Sequence, residues 1–404
     1  MEAEKGFDHR TALEEAARCL LCHDAPCSAG CPAGTDPGRF IRSIRFRNPK
    51  GAAETIRENN VLGGSCARVC PYDRLCEEAC SRCGIDRPIE IGKLQRYAVE
   101  QEKAFRMKIL KAPRRKNGLR IACVGAGPAS LACAAELAKA GCSVTVFERE
   151  QKAGGVLTYG ITPARLPQRV VDQDIRAVEG LGVRFAFGRE VASADGLLDE
   201  EGFDAVFVGA GLWKAAAAGV PGEGLKNVLY AVDFLKAART GGGYPQMKGR
   251  AVVVIGGGDV AMDCATTARL CGAEVQIWYR RTIAEAPASA AEIRYATGLG
   301  IGITQNFAPK RFADAGGKDA GKGKVNLAEF TGRDGQSSAS VRCDFVILAL
   351  GQKAEAAFDP LPKRKGVFTG GDIAGSGRTV VEAVASGKAA AGKILDYCKK
   401  RKGV

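Results

Sequence analysis

Two segments of this chain repeat one local pattern, in which an apolar strand runs into a glycine-rich turn and then a helix. They occupy residues 119–150 (LRIACVGAGPASLACAAELAKAGCSVTVFERE) and 250–281 (RAVVVIGGGDVAMDCATTARLCGAEVQIWYRR), about 130 residues apart. Each holds a strand, a crossover helix and a second strand, which form the βαβ unit of a dinucleotide-binding domain. The chain is therefore predicted to contain two nucleotide-binding domains.

The order of the remaining strands indicates that one domain is inserted in the other. Strands that end in glycine recur at 203–213 and 344–352, and the chain closes with a strand, a Gly–Gly–Asp turn and a long helix. We expect an α/β fold with two Rossmann-like domains, one interrupting the other, preceded by an α-helical domain. The expected boundaries are 1–110 for the helical domain, 118–225 and 346–404 for the interrupted domain, and 226–345 for the inserted one.

The first unit carries the glycine positions of a phosphate-binding turn in Gly125 and Gly127, with Ser130 in place of the third glycine. Gly125 permits the tight turn. Gly127 lets the backbone approach a pyrophosphate at the N-terminus of the next helix, where free N–H groups and the helix dipole favour anions. Glu148 lies 23 residues after Gly125, where a carboxylate can accept hydrogen bonds from a ribose.

The glycine positions of the second unit are held by Gly256, Gly258 and Ala261. Arg280, which lies 24 residues after Gly256, and Arg281 stand where an acid would meet a free 2′-hydroxyl. Paired guanidinium groups favour a 2′-phosphate and hence NADPH over NADH. The alternative is an exposed strand end with two arginines and no ligand. Asp259 and Asp263 are expected in turn and helix-start roles.

A third phosphate-binding feature lies near the carboxyl end of the chain. Gly371 and Asp372 form a turn after a strand, and a helix is predicted from Thr379. This arrangement matches the second half of an FAD site, in which an Asp and a helix N-terminus meet the ribityl–phosphate part of the flavin. The alternative is an ordinary Gly–Asp turn. One domain is therefore expected to bind FAD and the other NAD(P)H.

Nine of the 16 cysteines lie within the first 83 residues, and eight of them, all but Cys83, form two runs of the form C-x2-C-x4-C-x3-C-P and C-x3-C-x5-C-x3-C. Two dense runs, each with a cysteine before proline, suit a pair of [4Fe–4S] cubanes; in two-cluster domains the last cysteine of each run ligates the other cluster. Zinc is the alternative, although zinc ribbons usually pair CxxC knuckles at longer separation. His23, inside the first run, is expected at the surface rather than as a ligand.

The carboxyl-terminal portion offers flavin electrons no thiol acceptor. Disulfide reductases carry a redox-active cysteine pair near the flavin, whereas the cysteines here are single and are expected in the core: Cys123, Cys133, Cys142, Cys264, Cys271 and Cys343. The clusters are the remaining route. The sequence thus predicts an oxidoreductase in which NAD(P)H reduces FAD and electrons leave singly through the clusters. Because the cofactors carry out this chemistry, no catalytic side chain is expected.

The net charge of +14 is concentrated in residues 105–120 and in the KKRKGV tail. Neither stretch has interleaved aromatic residues or a nucleic-acid-binding motif, so no nucleic-acid partner is expected. They are interpreted as a solvated linker and tail, or as a docking face for an acidic partner subunit. No run approaches the ~20 apolar residues of a membrane span, and the polar first residues do not form a secretory signal. We expect a cytoplasmic protein.

Six segments resemble one known family over essentially the whole chain. They are RCLLCHDAPCSAGCPAGTDPGRFIRSIRFRN, KGAAETIRENNVLGGSCARVCP, PIEIGKLQR, VGAGPASLACAAELA, IGGGDVAMDCA and GGDIAGSGRTVVEAV. The family is the smaller subunit of bacterial two-subunit NAD(P)-dependent dihydropyrimidine dehydrogenase, which the first three segments favour. The chain is similar, more distantly, to the small subunit of glutamate synthase.

The resemblance implies a set of cofactor contacts. One [4Fe–4S] cluster would be held by Cys19, Cys22, Cys27 and Cys80, and the second by Cys31, Cys70, Cys76 and Gln95. Cys66, which spacing alone favours as the eighth ligand, would then be a spare thiol, as would Cys83. FAD would contact Gly125, Ala126, Gly127, Pro128, Ala129, Ser130, Glu148, Gly154, Gly155, Val156, Leu157, Arg165, Gly371, Asp372 and Thr379. NAD(P)H would contact Gly258, Asp259, Val260, Ala261, Arg280 and Arg281.

The resemblance also implies a partner, an FMN- and cluster-bearing barrel subunit that reduces uracil or thymine, so that this chain alone would show only diaphorase activity. GITPARLP departs from the family's GIPxxRLP, and TIAEAPAS lacks a basic residue that often follows the arginine pair in NADPH users. Both NADH and NADPH therefore stay open. The other interpretations are a glutamate synthase small subunit, an NADPH–ferredoxin transhydrogenase subunit and a zinc-stabilised nucleotide-binding regulator.

Overall fold

The chain forms two compact units, one inserted in the other. In a computed structural model the described residues are 5–241, 244–315, 323–358, 361, 363–375 and 379–402. The first unit comprises Met1–Thr158, Ala164–Leu212 and Ala354–Val404, and the second comprises Tyr159–Pro163 and Trp213–Lys353. The interrupted α/β architecture predicted from the sequence is confirmed.

The amino-terminal part of the first unit is helical. It contains α1 (His9–Ala17), α2 (Pro26–Ala29), α3 (Pro37–Arg45), α4 (Pro49–Asn59), α5 (Gly63–Val69) and α6 (Ile91–Ala104), with 3-10 turns at Tyr72–Arg74 and Ser81–Gly84. Side chains of Asp8, Asp36 and Asn48 accept hydrogen bonds from first-turn N–H groups of α1, α3 and α4, which fixes where these helices begin. Phe40 and Ile56 lie in the core between them.

The rest of the first unit is a five-stranded parallel sheet of order β15-β4-β1-β2-β3. Its elements are β1 (Arg120–Val124), α7 (Pro128–Lys139), β2 (Ser143–Glu148), α8 (Val156–Tyr159), α9 (Gln168–Glu179), β3 (Arg184–Phe187), α10 (Ala194–Asp199), β4 (Ala205–Val208), β15 (Val367–Thr369) and α14 (Val380–Lys402). Because the strands are parallel, the turns after β1, β4 and β15 meet at one edge. Among the described residues no helix is both long and apolar enough to cross a membrane.

The second unit has its own five-stranded parallel sheet, of order β6-β13-β7-β8-β9, and a three-stranded antiparallel sheet, β10-β11-β12. Its elements are β5 (Lys214–Ala215), β6 (Val228–Tyr230), α11 (Ala231–Thr240), β7 (Ala251–Ile255), α12 (Asp259–Leu270), β8 (Glu274–Tyr279), α13 (Ala290–Gly298), β9 (Gly302–Gln305), β10 (Phe307–Ala313), β11 (Leu327–Gly332), β12 (Ser338–Arg342), β13 (Phe345–Leu348) and β14 (Gln352–Lys353). The segment 314–340 contains β11 and part of β12, and its residues 316–322 lie outside the described part.

Candidate functional site

Four cysteines that are far apart in the sequence surround one pocket in the helical part of the first unit. Cys19 and Cys22 follow α1, Cys27 lies in α2, and Cys80 precedes the turn Ser81–Gly84. All four line one pocket. Burial raises the pKa of the Cys27 thiol to about 11, and the neighbouring Cys80 and Cys19 thiols add to this rise. Bound iron would instead stabilise the thiolate form of these ligands.

A second group of cysteines lies around α5. Hydrogen bonding to Cys66, together with burial and the nearby Cys76 and Cys31 thiols, raises the pKa of Cys70. Burial also raises the pKa of Cys76, with Glu77, Cys31 and Cys27 contributing. The fold thus brings Cys31, from the first cysteine run, close to Cys70 and Cys76, from the second.

Both candidates for the eighth ligand lie at α5. Cys66 is a residue of α5 and is buried beside Cys70. Gln95 is a residue of α6, and its amide nitrogen donates a hydrogen bond of 2.8 Å to the carbonyl of Gly63, where α5 begins. Cys83 is exposed, and its thiol donates to the carbonyl of Glu77.

The four pocket cysteines fit the ligand set of one cluster. Within the part of the chain that the structure describes, no three His, Cys, Asp or Glu side chains are placed to hold one metal ion. The four pocket cysteines instead surround an open space, as ligands of a cubane do. His23 is almost fully exposed and pairs with Asp24 at 3.2 Å, as expected for a surface residue.

The turn after β1 leaves open space at the start of α7. Gly125 has φ of 84°, and a Cβ there would lie 2.9 Å from the carbonyl oxygen of Gly209, so this turn requires glycine. Gly127 caps α7, and a Cβ there would meet no atom within 4 Å. A phosphate can therefore approach the free N–H groups at Ala129 and Ser130. Pro128 is the first residue of α7 and needs no N–H partner.

Glu148 closes this turn from the next strand. One carboxylate oxygen accepts a hydrogen bond of 2.7 Å from the N–H of Ala126, and the other accepts one of 2.9 Å from the N–H of Glu150. Burial raises the pKa of Glu148, against the lowering effect of these two hydrogen bonds. The sequence expectation of a ribose contact stays a prediction, and the structure adds a backbone role.

Residues from two other segments contact the same turn. Gly154 donates its N–H to the carbonyl of Ala126 at 2.8 Å, and a Cβ on Gly155 would lie 2.8 Å from the Cα of Gly127. Gly371 has φ of 73°, and a Cβ there would lie 2.9 Å from the Cβ of Ala129. Val156 and Leu157 begin α8, and Arg165 is half-buried. The structure thus brings Gly154, Gly155 and Gly371 against this turn, from both parts of the interrupted domain.

The carboxyl-terminal turn has two neighbouring carboxylates. Burial raises the pKa of Asp372 to about 6, and the nearby carboxylate of Glu382 contributes. Thr379 donates from its N–H and its hydroxyl to Glu382 at 2.9 Å, which forms the cap before α14. Residues 376–378, between the two, lie outside the described part of the chain.

The second unit has an equivalent turn. Gly256 has φ of 148°, and a Cβ there would lie 2.4 Å from the carbonyl oxygen of Ala349; Gly258 caps α12. Asp259 begins α12 and accepts a hydrogen bond of 2.9 Å from the N–H of Ser289. Asp263 lies one turn inside α12 and is buried, so its expected role in a turn or helix start is wrong.

The other residues expected to recognise the nicotinamide nucleotide lie in α12 and after β8. Val260 and Ala261 continue α12 after Asp259. Arg280 and Arg281 are exposed after β8, and neither forms an ion pair within the described residues. Two free guanidinium groups thus lie at the strand end where the 2′ substituent of a bound nucleotide is expected.

The thiols beneath the flavin turn are unsuited to redox exchange. Cys123 in β1 and Cys133 in α7 are hydrogen-bonded neighbours, but both are fully buried. Burial, with the contact to Cys123, raises the pKa of Cys133 well above its usual value. Because thiol exchange requires an accessible thiolate, this pair is inert.

Comparisons with known proteins agree with this architecture. Residues 1–107 match the family model "Dihydroprymidine dehydrogenase domain II, 4Fe-4S cluster". Residues 119–387 match "Pyridine nucleotide-disulphide oxidoreductase". The solved structure of Mycobacterium tuberculosis FprA in complex with NADPH has a TM-score of 0.58 over 70% of this chain and 85% of that one, at 17% identity, which supports the fold.

Two curated relatives extend the likeness to the whole chain. The "NAD-dependent dihydropyrimidine dehydrogenase subunit PreT" of Escherichia coli K12 is 42% identical over 98% of this chain and 96% of its own length. The "NADP(+)-dependent formate dehydrogenase subunit beta" of Moorella thermoacetica is 34% identical over 93% of this chain and 60% of its own. The chain belongs to the family of dihydropyrimidine dehydrogenase PreT subunits, in which an iron–sulfur domain precedes an FAD- and pyridine-nucleotide-binding oxidoreductase domain.

Proposed function

We propose that this chain is the electron-input subunit of a dihydropyrimidine dehydrogenase, which oxidises NAD(P)H and delivers electrons to a separate subunit that reduces uracil or thymine. The observation that carries the proposal is the presence, within one compact unit, of the pocket lined by four cysteines and the glycine cradle at Gly127. When bound, FAD would supply a hydride acceptor and the two [4Fe–4S] clusters would supply single-electron carriers.

The residues of the chain bind and orient these groups. The N–H groups at the start of α7 hold the pyrophosphate, Glu148 and Asp372 meet the sugar portions, and Arg165 adds a cation to the flavin site. Cys19, Cys22, Cys27 and Cys80 hold one cluster. Cys31, Cys70, Cys76 and Gln95 hold the other, and Cys66 is the alternative to Gln95. No side chain needs to transfer a proton to the substrate.

The partner in this proposal is an FMN- and cluster-bearing barrel subunit. The E. coli relative is named as a subunit of a dehydrogenase, which supports a heteromeric assembly. We propose a cytoplasmic location, because reduced cysteine ligands persist in that compartment. In the absence of the partner the chain should reduce artificial dyes but no pyrimidine.

Anaerobic purification followed by iron, sulfide and flavin analysis tests the proposal. We expect about eight irons and one FAD per chain, with dye reduction by NADH or NADPH. Adding the catalytic subunit of the E. coli relative should couple NAD(P)H oxidation to uracil reduction. A colourless protein that contains zinc, or a chain without flavin, would refute the proposal.

A further inference from the structure

We infer that Asp174, a buried carboxylate of the flavin-binding part, is a positioning residue for the cluster bound around α5. The inference rests on the proposed function. It assigns a role to a residue that lies outside the predicted flavin, nicotinamide-nucleotide and cluster sites. Asp174 lies on α9 and is completely buried.

Asp174 binds the beginning of α5. Its Oδ2 accepts a hydrogen bond of 2.7 Å from the N–H of Ser65 and another of 2.7 Å from the Ser65 hydroxyl. Its Oδ1 accepts a longer one, of 3.3 Å, from the N–H of Gly64. First-turn N–H groups of a helix have no partner within the helix, so a side chain from another part of the fold supplies the cap here.

The same carboxylate pairs with a buried arginine of the cysteine domain. Arg57, on α4, is fully buried, and its Nη1 lies 2.6 Å from Oδ1 of Asp174. Its Nε lies 2.8 Å from Glu102 on α6. Asp174 therefore holds α4 and α5 directly and α6 through Arg57. A buried charge that loses its partner is strongly unfavourable, so this contact resists small displacements.

These contacts lie next to the ligands of the second cluster. Ser65 immediately precedes Cys66, and Cys70 follows one helical turn later. Gln95 donates a hydrogen bond to the carbonyl of Gly63. The next two residues, Gly64 and Ser65, donate their N–H groups to Asp174. Cys66 and Cys70 thus belong to the helix that Asp174 caps, and Gln95 is hydrogen-bonded to its first residue.

Helix α9 also contacts the flavin cradle, which consists of the turn Gly125–Gly127 and the neighbouring Gly154 and Gly155. A Cβ on Gly154 would lie 3.1 Å from Cγ1 of Val171, and a Cβ on Gly64 would lie 3.3 Å from Cγ1 of Val170 and 2.8 Å from Oδ1 of Asp174. One helix therefore packs against the cradle through Val171 and against the cluster helix through Val170 and Asp174. Because electron transfer rates fall steeply with distance, a fixed spacing between these two sites is functionally important.

The substitution Asp174→Asn tests this role in the intact holoenzyme. It keeps the side-chain volume but removes a buried negative charge, so reduction of the nearby cluster becomes easier. We expect the midpoint potential of the cluster at Cys70 to rise, which by itself would speed its reduction. A reduction by the flavin that is nevertheless slower by about tenfold or more would therefore report a displaced cluster, because the contacts of Asp174 with Gly64 and Ser65 position α5. The other cluster, the FAD content and the rate of flavin reduction by NADH should stay within about twofold of wild type. Asp199→Asn, which removes the exposed pair with Arg364, is the control and should change none of these.

The readouts are redox titration followed by electron paramagnetic resonance and stopped-flow absorbance. Unchanged potentials and cluster reduction rates in Asp174→Asn, with only a lower melting temperature, would overturn the inference. If that variant does not fold, Ser65→Ala decides: it removes a single hydrogen bond to Asp174, and a shift of the same cluster potential supports the role, whereas no shift refutes it. Failure of the wild-type chain to bind flavin or eight irons would refute the proposed function instead.

Discussion

Replacing Gly127 with alanine tests the flavin cradle without disturbing the fold around it. Gly127 has φ of −80°, which any residue adopts, and a Cβ there would meet no atom within 4 Å. We therefore expect G127A to change the free energy of unfolding of the apoprotein by less than about 0.5 kcal/mol. Gly125 is the contrasting case, because its positive φ and the nearby Gly209 carbonyl make alanine damaging to the fold itself.

The expected loss of FAD affinity follows from the space in front of Gly127. A methyl group there displaces the pyrophosphate from one or two hydrogen bonds to the N–H groups of α7. Each hydrogen bond to a charged group is worth about 1.5–3 kcal/mol. A total loss of about 2–4 kcal/mol corresponds to roughly 30- to 1,000-fold weaker FAD binding.

Fluorescence titration of the apoprotein with FAD measures this dissociation constant, and thermal unfolding of the same sample measures its stability. G258A is the matched control, because a Cβ at Gly258 has its nearest neighbour, Cγ of Pro287, at 3.7 Å. It should weaken binding of the nicotinamide nucleotide and leave FAD affinity unchanged. Wild-type FAD affinity in G127A would show that this turn does not hold the pyrophosphate.

Three further predictions concern the clusters, the choice of nucleotide and pH. Cys27→Ser should remove about four of eight irons, because it removes a pocket ligand, whereas Cys83→Ser should retain them all; iron analysis that shows equal loss would contradict this. Replacing both Arg280 and Arg281 with alanine should lower kcat/KM for NADPH by about 10- to 100-fold and for NADH by less than threefold, since only NADPH has the 2′-phosphate; steady-state kinetics that show equal losses would remove these residues from that role. In the folded apoprotein Asp372 keeps its proton up to about pH 6, whereas the unfolded carboxyl loses it near 3.8. The folded state therefore binds more protons between these values, so about 2–3 kcal/mol of stability present at low pH is lost as pH rises from about 4 to 6. Urea unfolding across this range should show the loss in wild type and not in Asp372→Asn; the same slope in both would refute the assignment.

The glycine turns could be predicted from the sequence because their requirements are local. Gly125 and Gly256 occupy positive φ beside backbone carbonyls, and no other residue meets that demand as readily. The strand before each turn and the helix after it are apolar enough to predict the parallel sheets. The inserted fold and the family resemblance were therefore confirmed.

The eighth cluster ligand could not be decided by spacing. Cys66 and Cys70 are one helical turn apart, a spacing that favours both as ligands. Gln95 belongs to α6, which is distant in the sequence. The fold brings both candidates to α5. Local patterns carry no information about which residue of another helix lies opposite.

The contact between Asp174 and Arg57 was missed, although a signal was present. Asp174 lies on the apolar face of α9, between Val170 and Val178, where a carboxylate is unexpected. A charged residue on such a face predicts a buried partner but does not identify it. Only the tertiary structure shows that the partner is 117 residues earlier.

The last helix of the chain also holds the first domain. The ammonium group of Lys388, on α14, donates to the carbonyls of Ala33 at 2.5 Å and Asn59 at 2.6 Å, both in the cysteine-rich part. During translation the cysteine ligands leave the ribosome first, whereas β15 and α14 are synthesised after the whole inserted unit. The contacts of Lys388 with the loop after Cys31 and with the end of α4 can therefore form only after the inserted unit has been synthesised.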